Sequence, residues 1–197
     1  MVVTEADPTP LVLSLARTLR ASAEVPELRD LIAQTSGSVA LKSVTDAQSA
    51  TLTFDGNSVL VSHGLADGAA QADLLFDPEY TVGESDDTVG QAAAQLLSPP
   101  PPDWRVAAAR FWEINQDTPG FPGRLVIVCW EEEAQEAFGT GDDVYEIHGY
   151  GPALAAVLSG QVDSFLIAVA VGAVSIVGSA AHMSVMCGAH WKVRFGG

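Results

Sequence analysis

The apolar positions of this chain change period along its length, and those changes mark out its elements. After Pro8 and Pro10, Leu11, Leu15 and Leu19 recur at helical spacing while Arg17 and Arg20 take another face, which predicts a helix that Pro26 closes. Pro26 opens a second short helix to Ala33, carrying Leu28, Leu31 and Ile32, before Ser36-Gly37-Ser38 breaks it. From Ser38 the period becomes two. Segments 38–44, 49–54 and 58–63 alternate as strands, and Asp55-Gly56-Asn57 is a hairpin turn signal, so the three are expected to run antiparallel. A fourth strand is expected from Ala72 to Phe76. An acidic loop from Asp77 to Asp87 follows, then a helix through Val89, Ala92, Ala93, Leu96 and Leu97 that Ser85 or Asp86 would cap.

Four prolines, Pro99 to Pro102, form a stiff spacer before a helix capped by Asp103, with Trp104, Ala108, Phe111 and Trp112 near one face. Beyond the turn-rich segment 118–123, the pattern predicts a strand over 124–130, a hairpin arm within 131–143 and a short strand over 144–149. Next come a helix ending at Gly160 as C-cap, a helix over 162–171, a strand over 173–179, a helix over 180–188 and a final strand over 190–195. In that final strand His190, Lys192 and Arg194 share one face and Trp191, Val193 and Phe195 the other. The order hairpin, short strand, helix, helix occurs over 50–113 and again over 124–170. Either an internal ββ-β-α-α repeat or ordinary reuse of α+β local grammar accounts for it.

Composition places the chain among globular proteins, with 48% hydrophobic and 17% charged residues. A net charge of -16, from 25 carboxylates against 9 Lys and Arg, opposes phosphate backbones and anionic lipid surfaces and rules out nucleic acid as a partner. The acidity is uneven: between Val144 and Phe195 the only carboxylates are Glu146 and Asp163, so this apolar third must bury itself against protein or ligand. Cys129 and Cys187 sit in apolar runs and read as buried free thiols of a reducing compartment. The N-terminal residues lack the basic and apolar blocks of a signal peptide, and the longest apolar run, from Phe165 to Val177, falls short of the roughly 20 residues a membrane span needs. A soluble cytoplasmic protein with no stable membrane insertion is expected.

Candidate chemistry is sparse. His182, Cys187 and His190 are competent zinc ligands, yet their H-x4-C-x2-H spacing matches no compact structural motif and no fourth ligand accompanies them. No carboxylate stands near Cys187 in sequence to orient a histidine base. His63 and His148 occupy strand ends. Glu131, Glu132, Glu133, Glu136, Asp142 and Asp143 read as a solvated acidic hairpin, and the lone Gly139-x-Gly141 and Gly149-x-Gly151 pairs lack the context of a phosphate loop. No metal and no cofactor are expected.

From Tyr145 to Gly178 the chain runs from a short strand and glycine into a helix ending Leu158-Ser159-Gly160. A second apolar helix and the glycine-flanked strand Gly172-Ala173-Val174-Ser175-Ile176-Val177-Gly178 follow. This arrangement resembles the sterol carrier protein 2 family over about a third of the chain. The resemblance implies an α+β fold with a mainly antiparallel sheet covered by helices on one face, spanning 38–197 behind an N-terminal helical segment, 1–37, in one compact domain overall. It also implies a non-enzyme whose hydrophobic tunnel carries a sterol, fatty acid or acyl chain. Phe111, Trp112, Phe165, Leu166, Val169, Met183 and Met186 are the flexible or aromatic side chains suited to line such a pocket. The alternative is a protein–protein interaction or dimerisation module in which the apolar C-terminal third meets a partner, such as an enzyme, or its own copy.

Overall fold

The structure, a computed structural model, describes residues 1–76 and 80–196; Asp77, Pro78 and Glu79 of the expected acidic loop lie outside the described residues. The chain divides into two compact units, Met1–Pro100 and Pro101–Gly197, and the division falls inside the proline run. The α+β class is as expected.

In the first unit a short strand, β1 (Val2–Thr4), precedes helix α1 (Pro10–Glu24). Thr9 starts α1 by accepting the Val12 amide on its hydroxyl, and Pro10 follows with its φ already helical. Val12, Leu15, Ala16 and Leu19 form the buried stripe. Pro26 cannot continue α1 and instead opens α2 (Pro26–Gln34). Strands β2 (Ser36–Ser43), β3 (Ser49–Asp55) and β4 (Val59–His63) form the expected antiparallel meander. The turn between β3 and β4 is the one that Asp55-Gly56-Asn57 signals. Gly56 takes φ +82°, and the Asp55 carboxylate accepts the Asn57 amide at 2.8 Å. Those amides, that of Asn57 first, hold the Asp55 carboxyl below its usual range.

Strand β5 (Ala70–Phe76) lies parallel to β2, and β6 (Tyr80–Val82) closes that side, giving the order β1-β4-β3-β2-β5-β6. Helix α3 (Thr88–Leu96) ends the unit; its cap is Asp87, which accepts the Val89 amide at 2.7 Å, rather than Ser85 or Asp86. Leu15, Leu19, Val39, Leu41, Leu52, Val61, Leu74 and Leu96 belong to one core between helices and sheet. Buried polar groups are paired inside it: the Tyr80 hydroxyl donates to Ser14 Oγ at 2.8 Å, and the Ser22 hydroxyl donates to the Leu96 carbonyl.

The second unit opens with α4 (Trp104–Asn115), capped by Asp103 as expected. Strands β7 (Arg124–Cys129), β8 (Ala134–Gly139) and β9 (Val144–Gly149) follow. After them come α5 (Gly151–Leu158), α6 (Phe165–Ala170), β10 (Val174–Val177) and α7 (Ala180–Gly196). The sheet order is β10-β9-β7-β8, with β9 parallel to β7 and the other pairs antiparallel. Gly160 follows the α5 C-cap at φ +70°, where an added Cβ would meet the Arg194 backbone at 3.0 Å, so glycine is required twice over.

Parallel pairings β1/β4, β2/β5 and β7/β9 stand beside the antiparallel ones and make both sheets mixed; in each unit the first strand of a hairpin accepts a third strand on its free side. That shared pattern pairs β2–β3–β5 with β7–β8–β9, one strand earlier than the repeat expected from residue 50. The final strand does not exist: Trp191–Phe195 are the end of α7. Met186, Ala189, His190 and Val193 are buried at helical spacing, and this stripe carries the helix through Gly188, whose missing side chain would point into open space.

Candidate functional site

The sequence singled out seven apolar side chains in the second unit, and the structure separates one of them from the rest. Phe111, Phe165 and Met186 are enclosed in a single core with Tyr145, Ile147, Leu154 and Leu158, and Trp112, Val169 and Met183 pack against its margin. Trp112 stacks on Phe138 at 6.2 Å between centroids. Leu166 stands outside, 54% exposed.

Leu166 has company that sequence reasoning did not name. Ile167 beside it on α6 is 53% exposed, Val171 at the helix C-cap 72%, Val177 at the end of β10 57%, and Trp191 on α7 58%. Short α6 turns Phe165 and Ala168 inward, which forces Leu166 and Ile167 outward. The signal that marks this surface is electrostatic: from Ser164 to Trp191 the chain carries no Asp, Glu, Lys or Arg. Apolar side chains left in water along such a neutral stretch are the kind of surface that a partner covers.

The sheet edges set this region apart further. Each sheet ends in two strands with one free side, and a free side invites pairing unless charge or cover prevents it. β1 runs into Glu5 and Asp7, and β6 into Glu84, Asp86 and Asp87. β8 bears Glu136 and lies between Glu131, Glu132 and Glu133 on one side and Asp142 and Asp143 on the other. β10 reads Val174-Ser175-Ile176-Val177, with Gly172, Ala173, Gly178 and Ser179 as its flanks. Among the described residues it is the one edge of the four with no charged residue on the strand or its immediate flanks, while His148 and Glu146 of β9 lie opposite Ser175 and Val177.

The titratable groups do other work. His190 is buried, with Nδ1 3.0 Å from the Val157 carbonyl and Nε2 3.1 Å from that of Val162. Arg194, one turn on, donates to the Val162 carbonyl at 2.7 Å and the Gly160 carbonyl at 3.4 Å, and lies 3.8 Å from Asp163. His190 thereby reaches a carbonyl in the last turn of α5, and both side chains reach carbonyls of the segment that follows it, Gly160 to Val162. Lys192 instead donates to the Ile114 carbonyl at 2.6 Å, so the three side chains do not form one face.

His182 Nε2 lies 3.5 Å from Asp143, and its ring stands edge-on to Tyr145 at 6.0 Å. The Tyr145 hydroxyl donates to Met183 sulfur, and burial, with a smaller contribution from Cys187, pushes its pKa up to about 12. Burial also pushes the Cys187 thiol up, which disfavours the nucleophilic thiolate. His182, Cys187 and His190 therefore do not converge, and among the described residues no group of three or more His, Cys, Asp or Glu is placed to hold a metal ion.

The acidic hairpin is partly structural rather than merely solvated. Glu132 accepts Arg105 at 2.6 Å and Trp104 Nε1 at 3.1 Å, and the Arg105 bond comes first in holding its carboxyl below the usual range. Glu131 accepts the Gly151 amide at 3.1 Å, the first amide of α5. His63 and His148 each pair with a glutamate, Glu5 and Glu146, at 2.8 Å. They sit near the ends of β4 and β9.

Among the described residues no helix is long and apolar enough to cross a membrane. Comparison with known proteins finds no matching family model, no matching curated protein and no matching solved structure.

Proposed function

We propose that the second unit is a protein–protein association module whose contact surface is the neutral apolar region of α6 and β10. One observation carries this reading: in a chain of net charge -16, the stretch from Ser164 to Trp191 is free of charged side chains and still leaves Leu166, Ile167, Val171, Val177 and Trp191 at the surface. Leaving such residues in water forfeits roughly 25 cal/mol for each Å² that a partner would cover. The expected carrier of a sterol, fatty acid or acyl chain has less support. Its proposed wall residues Phe111, Phe165 and Met186 are accounted for by packing with Tyr145 and Ile147, whereas the exposed group has no such account.

The test is co-purification of the full chain from its native cells, with the wild type compared against a Leu166→Glu, Val171→Glu, Val177→Glu triple variant. Bound protein, whether another chain or a second copy, is expected with the wild type and lost with the variant. Equal recovery from both, or a native mass showing a retained lipid in place of protein, would overturn the reading.

A further inference from the structure

We infer that the occupant of this surface is a second copy of the chain, joined by antiparallel pairing of β10 with β10 across a two-fold axis; this rests on the association reading above. Four sheet edges are present among the described residues, and β1, β6 and β8 each have carboxylates on or beside them. Two copies approaching through any of those edges would bring like charges together. β10 escapes this, since neither the strand nor its glycine, alanine and serine flanks carry a charge. The neutrality of the patch also fits a copy better than a basic partner, because a basic partner would be selected by the acidic surfaces elsewhere and would find nothing to pair with here.

The geometry is self-complementary. An antiparallel pair of identical strands is related by a two-fold axis, which is the isologous contact that closes a dimer. Along β10, Val174 and Ile176 face the core while Ser175 and Val177 face outward. An axis passing through Ser175 or Ile176 keeps every side chain on its own face, whereas a one-residue shift would turn Val174 out to water. The two four-stranded sheets would then continue as one of eight, with β10 at its centre. With the axis at Ile176, Val177 of each copy would lie opposite Ser175 of the other, and the exposed side of α6, with Leu166 and Ile167, is carried by the segment that leads directly into the strand.

A four-residue strand supplies only a short ladder, so a reversible dimer with a dissociation constant on the order of micromolar is expected. The experiment is sedimentation velocity on the full chain from about 1 to about 100 µM, with the wild type compared with Val177→Glu and Ser175→Lys. Both positions are exposed, and far-UV circular dichroism establishes that the variants remain folded. The wild-type mass should rise with concentration from 20.5 kDa toward twice that value, and each variant should remain at the monomer mass. A wild type that stays monomeric at about 100 µM overturns the inference, as does a dimer that both folded variants preserve. In the first case, if the triple variant still loses a different co-purifying protein, the association reading stands and only the identity of the partner changes.

Discussion

The two units solve the same structural problem and differ at their margins. Each builds a mixed sheet in which the first strand of a hairpin, β2 or β7, accepts a parallel third strand, β5 or β9, and each buries one face of that sheet under helices. The first unit extends the pattern to six strands and flanks both outer strands with carboxylates. Exposed large apolar residues occur on several elements of both units, including Val44, Leu60, Leu65 and Leu75 in the first and Val106, Trp130 and Tyr150 in the second, but those of the first are interspersed in sequence with Lys42, Asp46, Asp55, Asp67 and Asp73. The second unit stops at four strands, protects β8 with glutamates and leaves β10 uncharged beside the exposed side of α6. A core and a sheet can thus be equally well formed in two units while, among the described residues, only one of them has a sheet edge with no charged residue on the strand or its immediate flanks.

Substitutions sharpen this contrast in descending order of effect. The two cores should respond alike, since both are close-packed: Phe111→Ala should cost about 4 kcal/mol and Leu52→Ala about 3 kcal/mol in chemical denaturation. A much smaller cost at Phe111, with ligand affinity altered instead, would make that site a pocket wall and favour the carrier. His190→Ala should cost about 3 kcal/mol, because it empties a buried site and strips a hydrogen-bond partner from the Val157 and Val162 carbonyls.

Alkaline pH should also weaken the second unit. An unfolded tyrosine ionises near 10, whereas folded Tyr145 holds its proton to about 12, so the stability contributed by burying the neutral phenol is complete below the lower value and lost as pH rises through the upper. Ultraviolet titration of wild type against Tyr145→Phe reads this directly, and a Tyr145 phenolate appearing near 10 would refute the burial account. At the small end, Leu60→Glu in the first unit should change stability by no more than about 0.5 kcal/mol and leave association untouched. Loss of association in Leu60→Glu would erase the distinction between the units.

Local signals were legible from sequence. Pro10 and Pro26 delimit α1 and α2, Asp55-Gly56-Asn57 makes the β3–β4 turn, and Gly160 ends α5, because each acts through the residue's own backbone chemistry. What required the fold was anything decided by packing. The alternation over 190–195 suits a strand as well as a helix, and the burial of His190 and Arg194 against the carbonyls around Gly160 selects the helix. Strands β1 and β6 span only Val2–Thr4 and Tyr80–Val82, too short to show a period, and the sense of β5 depends on which side of β2 is free. The charge-free C-terminal stretch was visible at once, but adjacent Phe165 and Leu166 are equivalent in composition, and only the seating of α6 sends one inward and the other to the surface.

Amide hydrogen exchange of the full chain at about 1 and about 100 µM, read by mass spectrometry on peptides covering each edge strand, tests the central claim most directly. Protection that rises with concentration over Val174–Val177 and α6, with β1, β6 and β8 unchanged, is the expected result. Exchange independent of concentration at β10, or protection appearing at one of the acid-flanked edges instead, would contradict it.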